Sequence, residues 1–356
     1  MDREDAKAQL WQQALDLVLK HGTYEQASRA SGISKTTLYD RAKMGRSAGL
    51  MPHAEQAPVG AVLTQPRLPS AAMSDEELLD GLEIAYRRTH REHAARRWHE
   101  IAVNSDAPMG IVWFGDPHMD DGGCDWPQLR YDVAVTAKTP GMVGANIGDS
   151  TNNWLGKLLH LYEEQLVTRT QAAQLVEWLL HRSGVEWLMW LLGNHDAWRG
   201  GSELMRAQAR NIVPLHDWQA QIKLTFPCGL KLPIWAAHDF KGSSAINPLQ
   251  GPMKMAERAQ AALYICGHRH NYAMFHSEHP FQGGQFWACR AKGYKAIDSY
   301  AEKGQFGHQI TGASIVSVID PLARGGAGYV HCFPDVEEGA DYLLWRRKRA
   351  GFCDET

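Results

Sequence analysis

Five apolar runs in this chain each stop abruptly in a short cluster of residues able to hold cations. In order they are Asp116-x-His118 closing "GIVWFGDPH", Gly148-Asp149 closing "MVGANIGD", Gly193-Asn194-His195-Asp196 closing "EWLMWLLGNHD", His238-Asp239 closing "LPIWAAHD", and Gly267-His268-Arg269-His270 closing "ALYICGHRH". Carboxylate, carboxamide and imidazole groups ligate divalent metals, and imidazole also moves protons near neutral pH. A plainer reading exists for any one cluster: Gly-Asn suits a turn with positive φ, and Asp or His caps a following helix. Asp120 and Asp121 in "DPHMDDGG" read as loop residues. The two readings part on whether the clusters share one location.

The elements that carry them favour a shared location. Each run has the length and apolar continuity of a strand buried on both faces, and the runs alternate with helical segments, as in an α/β fold. The stretch "GKLLHLYEEQLVTRTQAAQLVEWLLHRSG" fits a crossover helix, and "QFWACRA", "ASIVSVID" and "GYVHCFP" read as further strands. Ligands of α/β sheets bind beyond the carboxyl ends of the strands. Five strands ending in Asp, Asn and His therefore point to one site.

Taken together in this order, the clusters resemble the signature of the calcineurin-like metallophosphoesterase superfamily: D-x-H, G-D, G-N-H-D/E, H and G-H-x-H, spread over residues 108–335. The resemblance implies a four-layer αββα sandwich holding two divalent ions about 3.5–4 Å apart. Carried over block by block, it implies that Asp116, His118 and His270 hold one ion, that Asn194, His238 and His268 hold the other, and that Asp149 bridges them. The mixed N/O set suits Mn2+ first, with Fe2+ or Zn2+ as alternatives; Mg2+ and Ca2+ prefer oxygen alone. His195 is implied as the general acid that protonates the leaving alkoxide, oriented by Asp196 or Asp239. Arg269, between two ligand positions, either touches a phosphate oxygen or points outward.

The substrate is narrowed by two features. Phosphoprotein phosphatases of this superfamily read G-D-x-x-D-R-G and G-N-H-E, whereas this chain has "GDSTNNW" and "GNHD", without the arginine that clamps phosphate. The second feature lies at the N-terminus. "DREDAKAQLWQQALDLVLKHG" places Leu10, Ala14, Leu17 and Val18 on one helical face, and Gly22 ends the helix. "TYEQASRASGISKTTLYDRAK" then reads as a short helix, a turn at Ser31-Gly32-Ile33 and a helix capped by Ser34, with Ala27 at a close crossing and Ile33 and Leu38 in the crevice. This resembles the helix-turn-helix family, which implies DNA contact through Lys35, Thr36, Thr37, Tyr39, Arg41 and Lys43.

The expected organisation is a helix-turn-helix domain over 1–46, a Pro/Ala/Gly-rich linker over 47–73, a connecting helix over 74–102, a metallophosphoesterase domain over 103–340 and a basic tail over 341–356. The expected function is a dinuclear-metal phosphodiesterase, foremost a DNA nuclease docked by its helix-turn-helix. Its alternatives are a small-nucleotide phosphodiesterase or phosphatase, and a DNA-binding regulator whose phosphoesterase domain turns nothing over. Such a domain pairing resembles phage equipment.

Composition is consistent with this. The 356 residues carry a formal net charge of −3, so nucleic-acid contact must come from local patches. Seventeen histidines stand out, while six cysteines form no C-x-x-C pair and suit reduced thiols. No apolar run approaches the roughly 18 residues of a membrane span, and the charged start "MDREDAKAQL" lacks the apolar core of a secretory signal. The expectation is a cytoplasmic protein with DNA as partner, no membrane contact, and room for a homodimer.

Overall fold

Left-handed glycines and hydroxyl caps set the N-terminal helices. In the computed structural model, which describes residues 3–53, 74–95, 97–154, 156–165, 167–242, 244, 246–279, 283–296, 312–323 and 329–352, α1 (Arg3–His21) ends at Gly22, whose φ is +83°. Thr23 caps α2 (Tyr24–Ser31) by accepting from the Gln26 amide at 3.2 Å. Gly32 then turns the chain at φ +74°, and Ser34 opens α3 (Lys35–Ser47) by accepting from the Thr37 amide at 3.1 Å. Ala14, Leu15, Ala27, Leu38 and Ala42 form the small core. Leu10, expected on the inner face of α1, is 40% exposed, and Leu15 takes the inner position. The reason is the close approach of α3, where a Cβ on Gly45 would lie 3.0 Å from Leu15. The expected linker lies outside the described residues from position 54 onward.

The chain divides into two compact units, Met1–Ile84 and Ala85–Thr356. Helix α4 (Asp75–Ala95) begins where Ser74 and Glu77 cap one another. The helix expected to continue to residue 102 gives way to strand β1 (His99–Ala102), which pairs in parallel with β6 (Gln219–Thr225).

The second unit is built on two six-stranded mixed sheets. Strand β2 (Met109–Phe114) explains how they stack: Ile111 and Trp113 point into one core, Val112 and Phe114 into another. A strand buried on both faces must be apolar throughout, which is why the run has no polar alternation. Around β2 lie α5 (Trp126–Lys138), β3 (Met142–Asn146), α6 (Arg169–Glu177), β4 (Trp187–Leu192), α7 (Asn194–Ala197), α8 (Gly201–Ala209) and β5 (Leu215–Asp217). β2, β3, β4 and β5 run parallel. The other sheet adds β7 (Lys231–Ala237), β8 (Leu263–Cys266), β9 (Ala273–Glu278) and β10 (Gln285–Arg290) to β1 and β6, with helix α9 (Gln250–Ala256) against β8. β11 (Ser314–Ile319) and β12 (Val330–Phe333) extend the first sheet beyond β2 in antiparallel order.

Ile111, Ala145, Met189, Leu191, Ile222, Ile234, Leu263 and Ile265, drawn from both sheets, form the core between them. The outer face of the first sheet is covered by helices through Leu129, Val133, Val176, Met205 and Leu343. This is a mixed α/β sandwich compatible with the expected architecture. The five cluster-bearing strands divide between the two sheets: β2, β3 and β4 in one, β7 and β8 in the other.

Two expected elements change form. The long crossover helix is a 3-10 segment over Gly156–Glu164 followed by α6, because Thr168 and Gln171 form a capping box that starts a new helix. The basic residues of the expected tail belong largely to α10 (Val336–Arg349), which buries Leu343 against the first sheet. There Arg346 bonds Asp320 and Arg347 donates to the Pro108 carbonyl at 2.8 Å. Among the described residues, no helix is long and apolar enough to cross a membrane.

Candidate metal centre

The strand-end clusters converge because the two sheets present their carboxyl ends to the same edge of the sandwich. Three overlapping groups place one ligand atom per residue within 4.8 Å of one another: Asp116, His118 and His270; His118, Asp149 and His195; Asp149, His238 and His268. His118 joins the first group to the second, and Asp149 joins the second to the third. Asn194 enters through its Oδ1, 3.0 Å from His238 Nε2.

The local backbone is bent to achieve this. Asp116, His118, Asp149, His268 and His270 all have positive φ, between 39° and 68°. Non-glycine residues held there cost about 1 kcal/mol or more each and concentrate at functional sites. Ties between loops hold them: the His118 amide donates to the Asp149 carbonyl at 3.0 Å, and the His268 amide to Asp116 Oδ2 at 2.7 Å. Two glycines make room for the carboxylates. A Cβ at Gly193 would collide with Asp149 Oδ1, and one at Gly267 would collide with Asp116 Oδ2.

His238 tests whether these residues fit a cation. Its Nδ1 lies 2.9 Å from the Ile147 carbonyl, which can only accept, so that nitrogen carries a hydrogen. Its Nε2 then faces Asp149 Oδ2 at 3.2 Å, Asn194 Oδ1 at 3.0 Å and His268 Nδ1 at 3.0 Å. A neutral His238 would set the Nε2 lone pair against two oxygen acceptors, relieved at most by one hydrogen on His268. A positive charge satisfies the arrangement, either a proton on Nε2 or a metal ion. In the other half, the buried Asp116 Oδ1 and His118 Nδ1 have no hydrogen-bond partner among the described residues. Buried polar atoms are otherwise almost always paired. The donor set therefore fits divalent metal.

The electrostatics agree. Burial opposes a charge on His238, but Asp149, Asp116 and the Ile147 carbonyl outweigh it and raise the imidazole to about 10. Burial also works to raise Asp149, yet His238, and after it His195 and His118, hold this carboxylate well below its ordinary range. Asp116 is raised to about 8 by burial, against the pull of His238. Burial, then the His238 charge, lowers His268 to about 4. His118 is lowered well below the usual imidazole range, first by burial and then by His195 and His270. Without metal, then, the site holds its charge balance with protons.

The neighbours of these groups differ from expectation. The Asp196 carboxylate is engaged by backbone: it accepts from the amides of Asp149 at 2.7 Å, Ser150 at 3.0 Å and Gly193 at 2.9 Å, clamping two candidate-ligand loops together. Asp239 is taken by two arginines, Arg290 at 3.0 Å and Arg269 at 3.1 Å. The His195 ring is held instead by the Asn152 carbonyl at Nδ1, which leaves Nε2 facing Asp149 Oδ2 at 3.9 Å. Of the two options for Arg269, its head is ion-paired to Asp239 with the side chain half exposed. Asp120 accepts from the Asn152 amide at 2.7 Å and Asp121 pairs with Lys295 at 3.0 Å, both bracing the loop that follows His118.

Sequence reasoning missed several residues. Fully buried Arg290 donates to the Gly267 and Pro248 carbonyls as well as to Asp239, and so props the loop carrying His268. A lone arginine ending the apolar run "QFWACR" was the available signal. Three tryptophans were missed as well: Trp154 and Trp198 pack on His195 at ring distances of 5.0 and 4.3 Å, and Trp218 packs on His238 at 5.0 Å. Nothing in their spacing marks them.

In the N-terminal unit, Lys35, Thr36, Tyr39 and Lys43 are exposed, whereas Thr37 and Arg41 are half-buried. The Thr37 hydroxyl is engaged with Ser34 at 2.7 Å, and Tyr39 packs edge-on against Tyr24.

No family model and no curated protein matches the chain. Among solved structures, the chain is similar at 10% identity to Haemophilus influenzae NAD nucleotidase (NadN), with a TM-score of 0.37 over 64% of this chain and 49% of that one. It spans about half of that protein's length. It is also similar, at 10% identity and a TM-score of 0.32, to GAP50, the anchor in the inner membrane complex of Plasmodium, over 67% of this chain and 95% of that one.

Proposed function

We propose that this chain is a dinuclear-metal phosphodiesterase acting on DNA. The observation that carries the reading is the convergence at His238 Nε2, where carboxylate, carboxamide and imidazole groups meet at a point suited to a cation. In this reading Asp116, His118 and His270 would hold one ion, Asn194, His238 and His268 would hold the second, and Asp149 would be shared between them. A bound pair of divalent ions, Mn2+ first among them, would activate water at neutral pH and offset charge on the phosphoryl oxygens.

The chain's own residues supply the rest. The Asn152 carbonyl fixes hydrogen on His195 Nδ1, so a second proton, at Nε2, is the one aimed at the leaving alkoxide. Trp154 and Trp198 restrict the ring's rotation. The "GDSTNNW" segment spends its amides internally: Asn153 Nδ2 donates to the His195 and Trp198 carbonyls, and Asn152 Nδ2 to Asp121. That segment thus brings no cation to the phosphate, which weighs against phosphoprotein as substrate. The helix-turn-helix resemblance and the exposed Lys35, Thr36, Tyr39 and Lys43 support docking on DNA, which would raise the local concentration of phosphodiester.

The test is hydrolysis of end-labelled single- and double-stranded DNA with Mn2+ by wild type, Asp149→Ala and His195→Ala. Cleavage by wild type and its loss in both variants is expected. Cleavage of dinucleotides but of neither DNA would move the assignment to a small-nucleotide phosphodiesterase. Lys35→Ala with Lys43→Ala should weaken DNA binding and make it less sensitive to salt, by about one unit of slope for each phosphate no longer neutralised.

A further inference from the structure

Trp218 is built into the rim of the candidate metal centre in a way that packing alone does not explain. The residue sits between β5 and β6 with φ at +60°, a conformation that bulky side chains rarely adopt. Three hydrogen bonds hold it there. Its amide donates to the Leu192 carbonyl at 3.2 Å, its carbonyl accepts from the His238 amide at 2.7 Å, and its indole Nε1 donates to the Asp239 carbonyl at 3.1 Å. The ring crosses His238 at 80° with 5.0 Å between centroids, and His268 at 60° with 6.1 Å. Yet the residue is 42% exposed. A partly exposed indole, hydrogen-bonded and carried on a strained backbone, thus stands beside two candidate ligands.

We infer that Trp218 is a stacking platform for the nucleobase next to the scissile phosphate, so the substrate is a nucleoside phosphodiester with an unpaired base. This rests on the phosphodiesterase reading above. A phosphate bound at the centre that His238 and His268 line would place its nucleoside within reach of the adjoining indole. Aromatic stacking accepts any base, because every base has a π face. A base inside a duplex has both faces covered by its neighbours and must leave the stack to reach a protein aromatic. The arrangement therefore selects single strands, frayed ends or flipped nucleotides over intact duplex.

Two measurements on the full chain test this. With Mn2+, the ratio of KM for ethyl p-nitrophenyl phosphate to KM for thymidine 5′-(p-nitrophenyl phosphate) reads the contribution of the nucleoside. Trp218→Ala and Trp218→Leu should raise KM about ten-fold or more for the thymidine ester alone. Trp218→Phe, which keeps a π face but loses the indole N–H, should retain most of the preference. In the metal-free protein, calorimetry with a thymidine trinucleotide and its abasic counterpart of equal charge should show tighter binding of the base-bearing ligand by wild type, lost in Trp218→Leu. Equal KM effects on both esters, or no discrimination between the two oligomers by wild type, overturns the inference. Absence of hydrolysis of any phosphodiester would instead overturn the proposed activity, and the calorimetric comparison would still decide the role of Trp218.

Discussion

His238 Nε2 and Asp149 Oδ2 lie 3.2 Å apart at the heart of the candidate metal centre, both side chains out of contact with solvent. Asp149 lies between two sets of candidate ligands, and His238 anchors one of them to the backbone through Ile147. A proton on His238 Nε2 would stand where the candidate site could take a cation, which makes the following outcomes testable.

Metal should stabilise the chain more as pH rises. Asp116, raised to about 8, and His238, raised to about 10, bind protons more tightly folded than unfolded. Their favourable contribution is therefore lost as pH climbs, from about 4 to 8 for Asp116 and from about 6.5 to 10 for His238. Asp149, shifted downward, contributes stability that is fully present above its ordinary value and is lost only as pH falls below it, outside this range. A cation that replaces these protons escapes the loss, so the Tm gap between metal-saturated and EDTA-treated protein should widen from about pH 6 to about pH 9. A gap that narrows would show that metal binds elsewhere.

Asp149→Asn removes the negative partner of a buried pair and leaves the His238 charge uncompensated. Breaking such a pair from one side costs about 3–5 kcal/mol. Urea denaturation of the metal-free protein should register this loss, and metal content after dialysis should fall together with activity.

His195→Gln should lower kcat on unactivated dinucleotides by about 100-fold or more, while metal content stays at the wild-type level. The loss should shrink on p-nitrophenyl esters, whose leaving group needs no proton. Equal losses on both substrates, or loss of metal, would assign His195 to metal binding, a role its place beside His118 and Asp149 also allows.

Arg290 and Arg269 share Asp239 but should differ sharply. Arg290→Met takes the buried donor from Asp239 Oδ1 and from the Gly267 carbonyl, leaving only the half-exposed Arg269 on Asp239, and about 3–5 kcal/mol of stability should go with it. The half-exposed Arg269 should cost about 0–1 kcal/mol on conversion to alanine. Because Arg290 props the His268 loop, Arg290→Met should also weaken metal affinity by about 10- to 100-fold, read by competition with a chelating dye.

Much of the candidate site is legible in the residue order because its signals are local. An apolar run that stops at Gly-Asp or Gly-Asn-His-Asp announces a strand and its polar tip within a short stretch, and helix caps such as Thr23 and Ser34 act across a single turn. Residue types alone identify groups that can bind cations. Which strands pair is another matter. A strand buried on both faces has no alternation to report its neighbour, so the division of β2, β3 and β4 from β7 and β8 rests on contacts between distant segments. The same holds for Arg290 reaching Gly267, the Asn152 carbonyl reaching His195, and Trp218 lying against His238. Local patterns along the chain therefore carry the α/β character, the N-terminal helices and the cation-binding residue types at the strand ends. Membership of each strand in its sheet, the companions of each candidate ligand and the exposed indole beside them come only from the folded chain, because hydrogen bonds and ring contacts between remote residues leave no periodicity along the sequence.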